Sequence, residues 1–63
     1  MKLIKVTSAL AHNKGKEIYI NTERILSITD EGDTRNIYMA NGTETLIYRV
    51  EESLLNIISN TGN

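Results

Sequence analysis

The chain has 63 residues, seven Lys and Arg against eight Asp and Glu, a net charge of −1, and neither cysteine nor proline. One domain, residues 1–63, fills that length, and a chain so short buries only about 60% of the surface its unfolded form exposes. Without cysteine there is no disulfide, thiolate metal site or thiol nucleophile, and a single histidine leaves no ordinary zinc ligand set.

The stabiliser this composition leaves open is self-association. The near-neutral charge argues against nucleic-acid binding by bulk electrostatics, which goes with a basic excess. No apolar run approaches the roughly 20 residues that span a membrane. The start, MKLIKVTSALA, has the outline of a signal peptide, but Lys5 interrupts the apolar stretch. It reads instead as the first strand of a cytoplasmic protein.

In residues 2–8, Ile4 and Val6 share one face and Lys5 and Thr7 the other, as in a strand with one wet side. Asn13, Lys14, Gly15 and Lys16 form a turn cluster. Residues 17–21, EIYIN, alternate as a second strand, and the polar run Asn21-Thr22-Glu23-Arg24 then breaks the phase. Asn21 is a good N-cap, so one helical turn or a bulge there would turn a corner and reset which residues face inward. Residues 25–30 read as a third strand, or the second continued past a bend, with Leu26 and Ile28 in phase and Ile25 out of step.

Asp30-Glu31-Gly32-Asp33 is a further turn. Residues 34–40 and 45–50 are strands joined through Asn41-Gly42, a strong hairpin signal. A two-residue loop at Asn41-Gly42 would set Met39 opposite Glu44. A four-residue loop, Asn41 to Glu44, pairs Met39 with Leu46, Ile37 with Tyr48 and Arg35 with Val50, which packing favours. Either register puts Ile37, Met39, Leu46, Tyr48 and Val50 on the inner face, and Tyr38, Ala40, Ile47 and Arg49 on the other.

From residue 51 the period becomes helical through Leu54, Ile57, Ile58 and Thr61, with Leu55 widening the stripe. Glu51 and Glu52 suit a helix N-terminus and Gly62 a left-handed cap, so the helix is expected over 51–61. The fold class is α+β: a small antiparallel sheet of about five strands over residues 1–50, as a roll or half-open barrel, followed by one C-terminal helix.

No constellation points to catalysis, a cofactor or a metal. His12 lies in a polar loop with no sequence-evident partner. Asp30, Glu31 and Asp33 lack the spacing of a calcium loop, and the four glycines form no phosphate-cradling motif. The chain reads as non-enzymatic. A nucleic-acid site would draw on Tyr19, Tyr38 and Tyr48 with Lys2, Lys5, Lys14, Lys16 and Arg24. Tyr48 belongs to the inner face, however, which leaves two aromatics. More suggestive is the second hairpin face, where Tyr38, Ala40 and Ile47 are too apolar to stand wholly in water. Either the helix covers it or a protein does, in a homodimer or with another chain; an open edge strand offers a second route to the same end.

The order Ile4-Lys5-Val6-Thr7, then Gly15 to Asn21, Ile25 and Ile28, Asn41-Gly42, and Val50 to Leu54 resembles the small FlbD-like (SwrD-like) proteins of bacterial flagella and swarming motility. The likeness covers most of the chain, departing from the family in the inserted segment Ser8 to His12 and in the lack of proline. It implies a non-enzymatic protein acting through protein partners in motility, and no family binding residue carries over. The sequence therefore reads as a protein-interaction module. The alternative is a small nucleic-acid-binding barrel, for example an accessory regulator encoded by a phage or plasmid.

Overall fold

The computed structural model describes residues 2–61, and the side chains of residues 2–59. Five strands precede one helix: β1 Leu3–Thr7, β2 Glu17–Asn21, β3 Ile25–Asp30, β4 Arg35–Asn41, β5 Glu44–Val50 and α1 Leu54–Thr61. All pairing is antiparallel. β1 and β2 form one two-stranded sheet, and β3, β4 and β5 form a second with β4 in the centre. The expected antiparallel strands and C-terminal helix are thus present, divided between two small sheets.

The period-2 patterns of β1 and β2 produce the first sheet directly. Ile4 lies opposite Ile20 and Val6 opposite Ile18, while Lys5 meets Tyr19 on the outer side. In the second sheet Ile37 and Met39 of β4 point to the same interior, and Val50 joins them from β5. Ile4, Val6, Ile20, Ile37, Met39, Val50 and Ile57 form the core, with Ile37 and Val50 fully buried. Burying such a side chain contributes about 1.5–3 kcal/mol.

Two corners join the sheets. At the first, Ser8 bridges Val50. Ala9 N–H donates to the Arg49 carbonyl at 2.8 Å, and Glu51 N–H donates to the Thr7 carbonyl at 2.9 Å. Ser8 is buried, and its hydroxyl donates to Asn13 Oδ1 at 2.6 Å and accepts from Leu10 N–H at 3.2 Å. A buried hydroxyl with both roles filled carries no desolvation penalty.

The second corner is the polar run after β2. Thr22–Arg24 form one turn of 3-10 helix, and the Asn21 side chain caps it by accepting from Glu23 N–H at 3.0 Å. A bulge follows at once. Ile25 pairs with Met39 and Ser27 with Tyr38, which leaves Leu26 as the extra residue. Ile28 packs against the core as expected, but Ile25 and Leu26 exchange the places expected for them: Ile25 packs against the core, and Leu26 is exposed. A one-residue insertion permits that three-residue spacing of inward side chains.

The β4–β5 ladder pairs Arg35 with Val50, Ile37 with Tyr48 and Met39 with Leu46, as packing favoured. The loop is nevertheless tight, because Asn41 and Glu44 pair as well and only Gly42-Thr43 turn. Gly42 has φ +65° and Thr43 does not share its sign, the pattern of a type II′ hairpin turn with glycine first. Moving the turn one residue along from Asn41-Gly42 keeps both the apolar register and the short loop.

The helix begins at Leu54, three residues later than the expected 51. Ser53 caps it instead of the two glutamates, its hydroxyl accepting from Asn56 N–H at 3.2 Å. Glu52 points elsewhere: its carboxylate accepts from Thr7 N–H and Thr7 Oγ1, both at 2.8 Å. Ile57 is buried, Leu54 half-buried, and Leu55 and Ile58 exposed. The expected Gly62 cap and the Thr61 side chain lie outside the described residues.

Candidate interaction surface

β-Sheet pairing puts the three residues expected to form an interaction face in one small area. Tyr38 stands directly opposite Ile47, and Ala40 lies two residues further along β4 opposite Thr45. Tyr38 and Ala40 are half-buried, and Ile47 is 55% exposed. The helix does not cover this face, because Ile57 packs into the interior with Ile37 and Val50.

Beside it, β5 has a second feature, set by backbone geometry. In an antiparallel pair, residues alternate between exchanging bonds with the opposite residue and pointing away from it. Asn41 and Glu44 close a two-residue hairpin, so Glu44, Leu46, Tyr48 and Val50 bond to β4. Thr45, Ile47 and Arg49 then aim their N–H and C=O groups at the other side of β5. The Ala9 bond to the Arg49 carbonyl agrees with this parity. Beyond Arg49 no strand among the described residues lies alongside, so there Thr45 and Ile47 present unpaired backbone at an open edge.

An open groove of about 270 Å³ adjoins this strand, lined from β2, the 3-10 turn after it, β4 and β5. Tyr19, Asn21, Arg24, Ala40, Leu46 and Tyr48 are among its lining residues. Two tyrosine rings and a guanidinium can take a planar or apolar group. Tyr38 is on the opposite face of the sheet from Tyr48, so the three tyrosines make no single stacking platform.

Two of the lysines lie near carboxylates. Lys5 Nζ lies 3.4 Å from Glu17 Oε2, and Lys14 lines a separate hollow with Asp33 and Glu51. His12 is exposed in the short 3-10 turn Ala11–Asn13. Among the described residues no three His, Cys, Asp or Glu side chains gather as a metal site, and no helix is long and apolar enough to cross a membrane.

Arg35 is the residue whose importance was not apparent from the sequence. It is buried at the far end of the inner row of β4. One guanidinium nitrogen bonds Asp30 Oδ1 at 3.1 Å and the Gly32 carbonyl at 2.8 Å, and the other bonds the carbonyls of Asp33 and Glu51 at 3.0 and 3.1 Å. Its Nε is buried with no partner among the described residues. The carboxylate expected in a solvated turn, Asp30, is thereby engaged in holding the β3–β4 loop. This is a structural clamp, and a lone Arg in an apolar alternation was the only signal for it.

No family model matches the chain, and neither a curated protein nor a solved structure matches it.

Proposed function

We propose that this chain is a small half-open barrel acting as a non-enzymatic protein-interaction module, with Tyr38, Ala40 and Ile47 at the contact surface. The observation that carries this reading is the coincidence on β5 of an exposed apolar side chain, Ile47, with unpaired backbone in the same residue. Exposed strand edges are the usual place where another chain adds by β-pairing. The resemblance to FlbD-like proteins supports a cytoplasmic, motility-associated role in bacteria, and nothing in the site requires a cofactor.

The competing reading is a nucleic-acid-binding barrel using the groove of Tyr19, Tyr48 and Arg24. The pairing of Lys5 with Glu17 and the placing of Lys14 beside two carboxylates count against it, since affinity for phosphate needs uncompensated cations. Titration of labelled single- and double-stranded DNA and RNA with the protein, followed by anisotropy at low and high salt, tests the choice. The interaction module predicts no binding at either salt concentration. Binding that fades steeply with salt would transfer the function to the groove.

A further inference from the structure

We infer that the partner of the β5 edge is a second copy of this chain, joined by antiparallel pairing of β5 with β5 about a two-fold axis through Leu46. The inference rests on the protein-interaction reading and specifies its occupant.

The register follows from which backbone groups are free. Thr45 and Ile47 point outward from the sheet, and Arg49 points the same way but its carbonyl is already taken by Ala9. A pairing centred on Ile47 would set Thr45 against Arg49 of the partner subunit and need its carbonyl, which Ala9 already takes. A pairing centred on Thr45 would set Ile47 against Thr43 of the partner subunit, which belongs to the turn. Centring on Leu46 sets Thr45 against Ile47 of the partner subunit and Ile47 against Thr45 of the partner subunit. All the free donors and acceptors of both residues are then used, in an isologous contact.

Side chains agree with that register. Leu46 meets its own copy on the inner face, where it is 38% exposed in the isolated chain. Ile47 gains the Thr45 methyl on the outer face, and Glu44 falls opposite Tyr48 of the partner subunit. No like charges are opposed, which is what a self-complementary strand needs. The combined sheet would run β3-β4-β5 continued into its own copy.

The other edge strands are β1, β2 and β3; β1 carries Lys5 mid-strand, and its end is taken by Glu51 and Glu52. β3 is broken by the bulge at Leu26, and its Asp30 side chain is held by Gly32 N–H and Arg35. β2 is bounded by Lys16 and Glu17 at one end and turns into the capped 3-10 corner at Asn21. Bulges and edge charges are devices that deter pairing. The stretch Thr45 to Tyr48 has neither within it, and Glu44 and Arg49, of opposite sign, bound it. A chain that buries so small a fraction of its surface gains most from such a partner.

Amide hydrogen exchange, read residue by residue from dilute to concentrated protein, tests this. The expected result is that Thr45 and Ile47 amides exchange fast when dilute and slow by about tenfold or more as the dimer fills. Leu46 and Tyr48 amides stay slow throughout, and Tyr19, at the β2 edge, stays unchanged. Thr45→Pro removes an outward N–H that β4 does not use, so an edge strand tolerates it. It should abolish the slowing at Ile47, and Ile47→Lys gives the same test should Thr45→Pro fold poorly. Self-association without protection of Thr45 and Ile47 would overturn the edge pairing. A monomer at every concentration would overturn the second copy yet leave a different protein as occupant. Protection that appears only on adding nucleic acid would overturn this inference and the interaction module together.

Discussion

Thr7 and Glu52 lie 45 residues apart, yet the Glu52 carboxylate takes both hydrogen bonds that Thr7 can donate, each at 2.8 Å. One oxygen holds the backbone N–H and the other the hydroxyl, so a single side chain ties the end of β1 to the link between β5 and α1. Next to it, Glu51 N–H donates to the Thr7 carbonyl. Hydrogen bonds to a charged acceptor contribute about 1.5–3 kcal/mol each where they are shielded from water.

Glu52→Ala should therefore destabilise the fold by about 2 kcal/mol, read as a lower urea midpoint with an unchanged slope. Glu52→Gln retains one acceptor and should lose less. Equal stability of the wild type and Glu52→Ala would mean the contact contributes nothing in solution.

Arg35 is a second lock with different chemistry. Its guanidinium reaches three carbonyls and Asp30 from a buried position. Removing it leaves those acceptors short of donors, so Arg35→Ala should cost about 3 kcal/mol. Arg35→Lys should recover only part, since an ammonium cannot span four acceptors with a planar fork. Thermal unfolding of the three proteins checks the order.

At the two turns the predictions separate capping from conformation. Asn21→Ala removes the acceptor for Glu23 N–H and should cost about 1 kcal/mol, whereas Asn21→Asp should be nearly neutral. Gly42→Ala meets no atom within 4 Å, so any loss comes from its φ of +65° and should be about 1–2 kcal/mol. Denaturant titration of each variant measures both.

Docking of the helix depends on one side chain. Ile57 is 1% exposed and Leu55 is 73% exposed, so Ile57→Ala should cost about 2–5 kcal/mol and Leu55→Ala less than about 0.5 kcal/mol. Similar losses at both positions would show that the helix sits on the sheets by another face.

These locks also mark how far the sequence could be read. The strands of residues 17–21 and 25–30 and the corner between them were legible, because Asn21 announces a cap and the polar run cannot lie inside a strand. The hairpin register was legible from matching Met39 to Leu46 and Ile37 to Tyr48. The phase of β3 was not, since nothing in Ile25-Leu26-Ser27 states that Leu26 is the inserted residue. Glu52 read as a helix charge because sequence neighbours suggest that role, while its actual partner, Thr7, is distant in the chain. Tyr38, Ala40 and Ile47 were placed on one face by parity alone. The open backbone of Thr45 and Ile47 was not visible, because it depends on where the turn closes and where Ala9 intercepts β5.

The most direct measurement is sedimentation velocity of the wild-type chain and Ile47→Lys, each followed from dilute to concentrated solution at low and high salt. The account predicts a wild type that shifts from monomer to dimer with concentration, with little effect of salt, and an Ile47→Lys chain that stays monomeric. A wild type that remains monomeric throughout, or an Ile47→Lys chain that dimerises as readily, would contradict it.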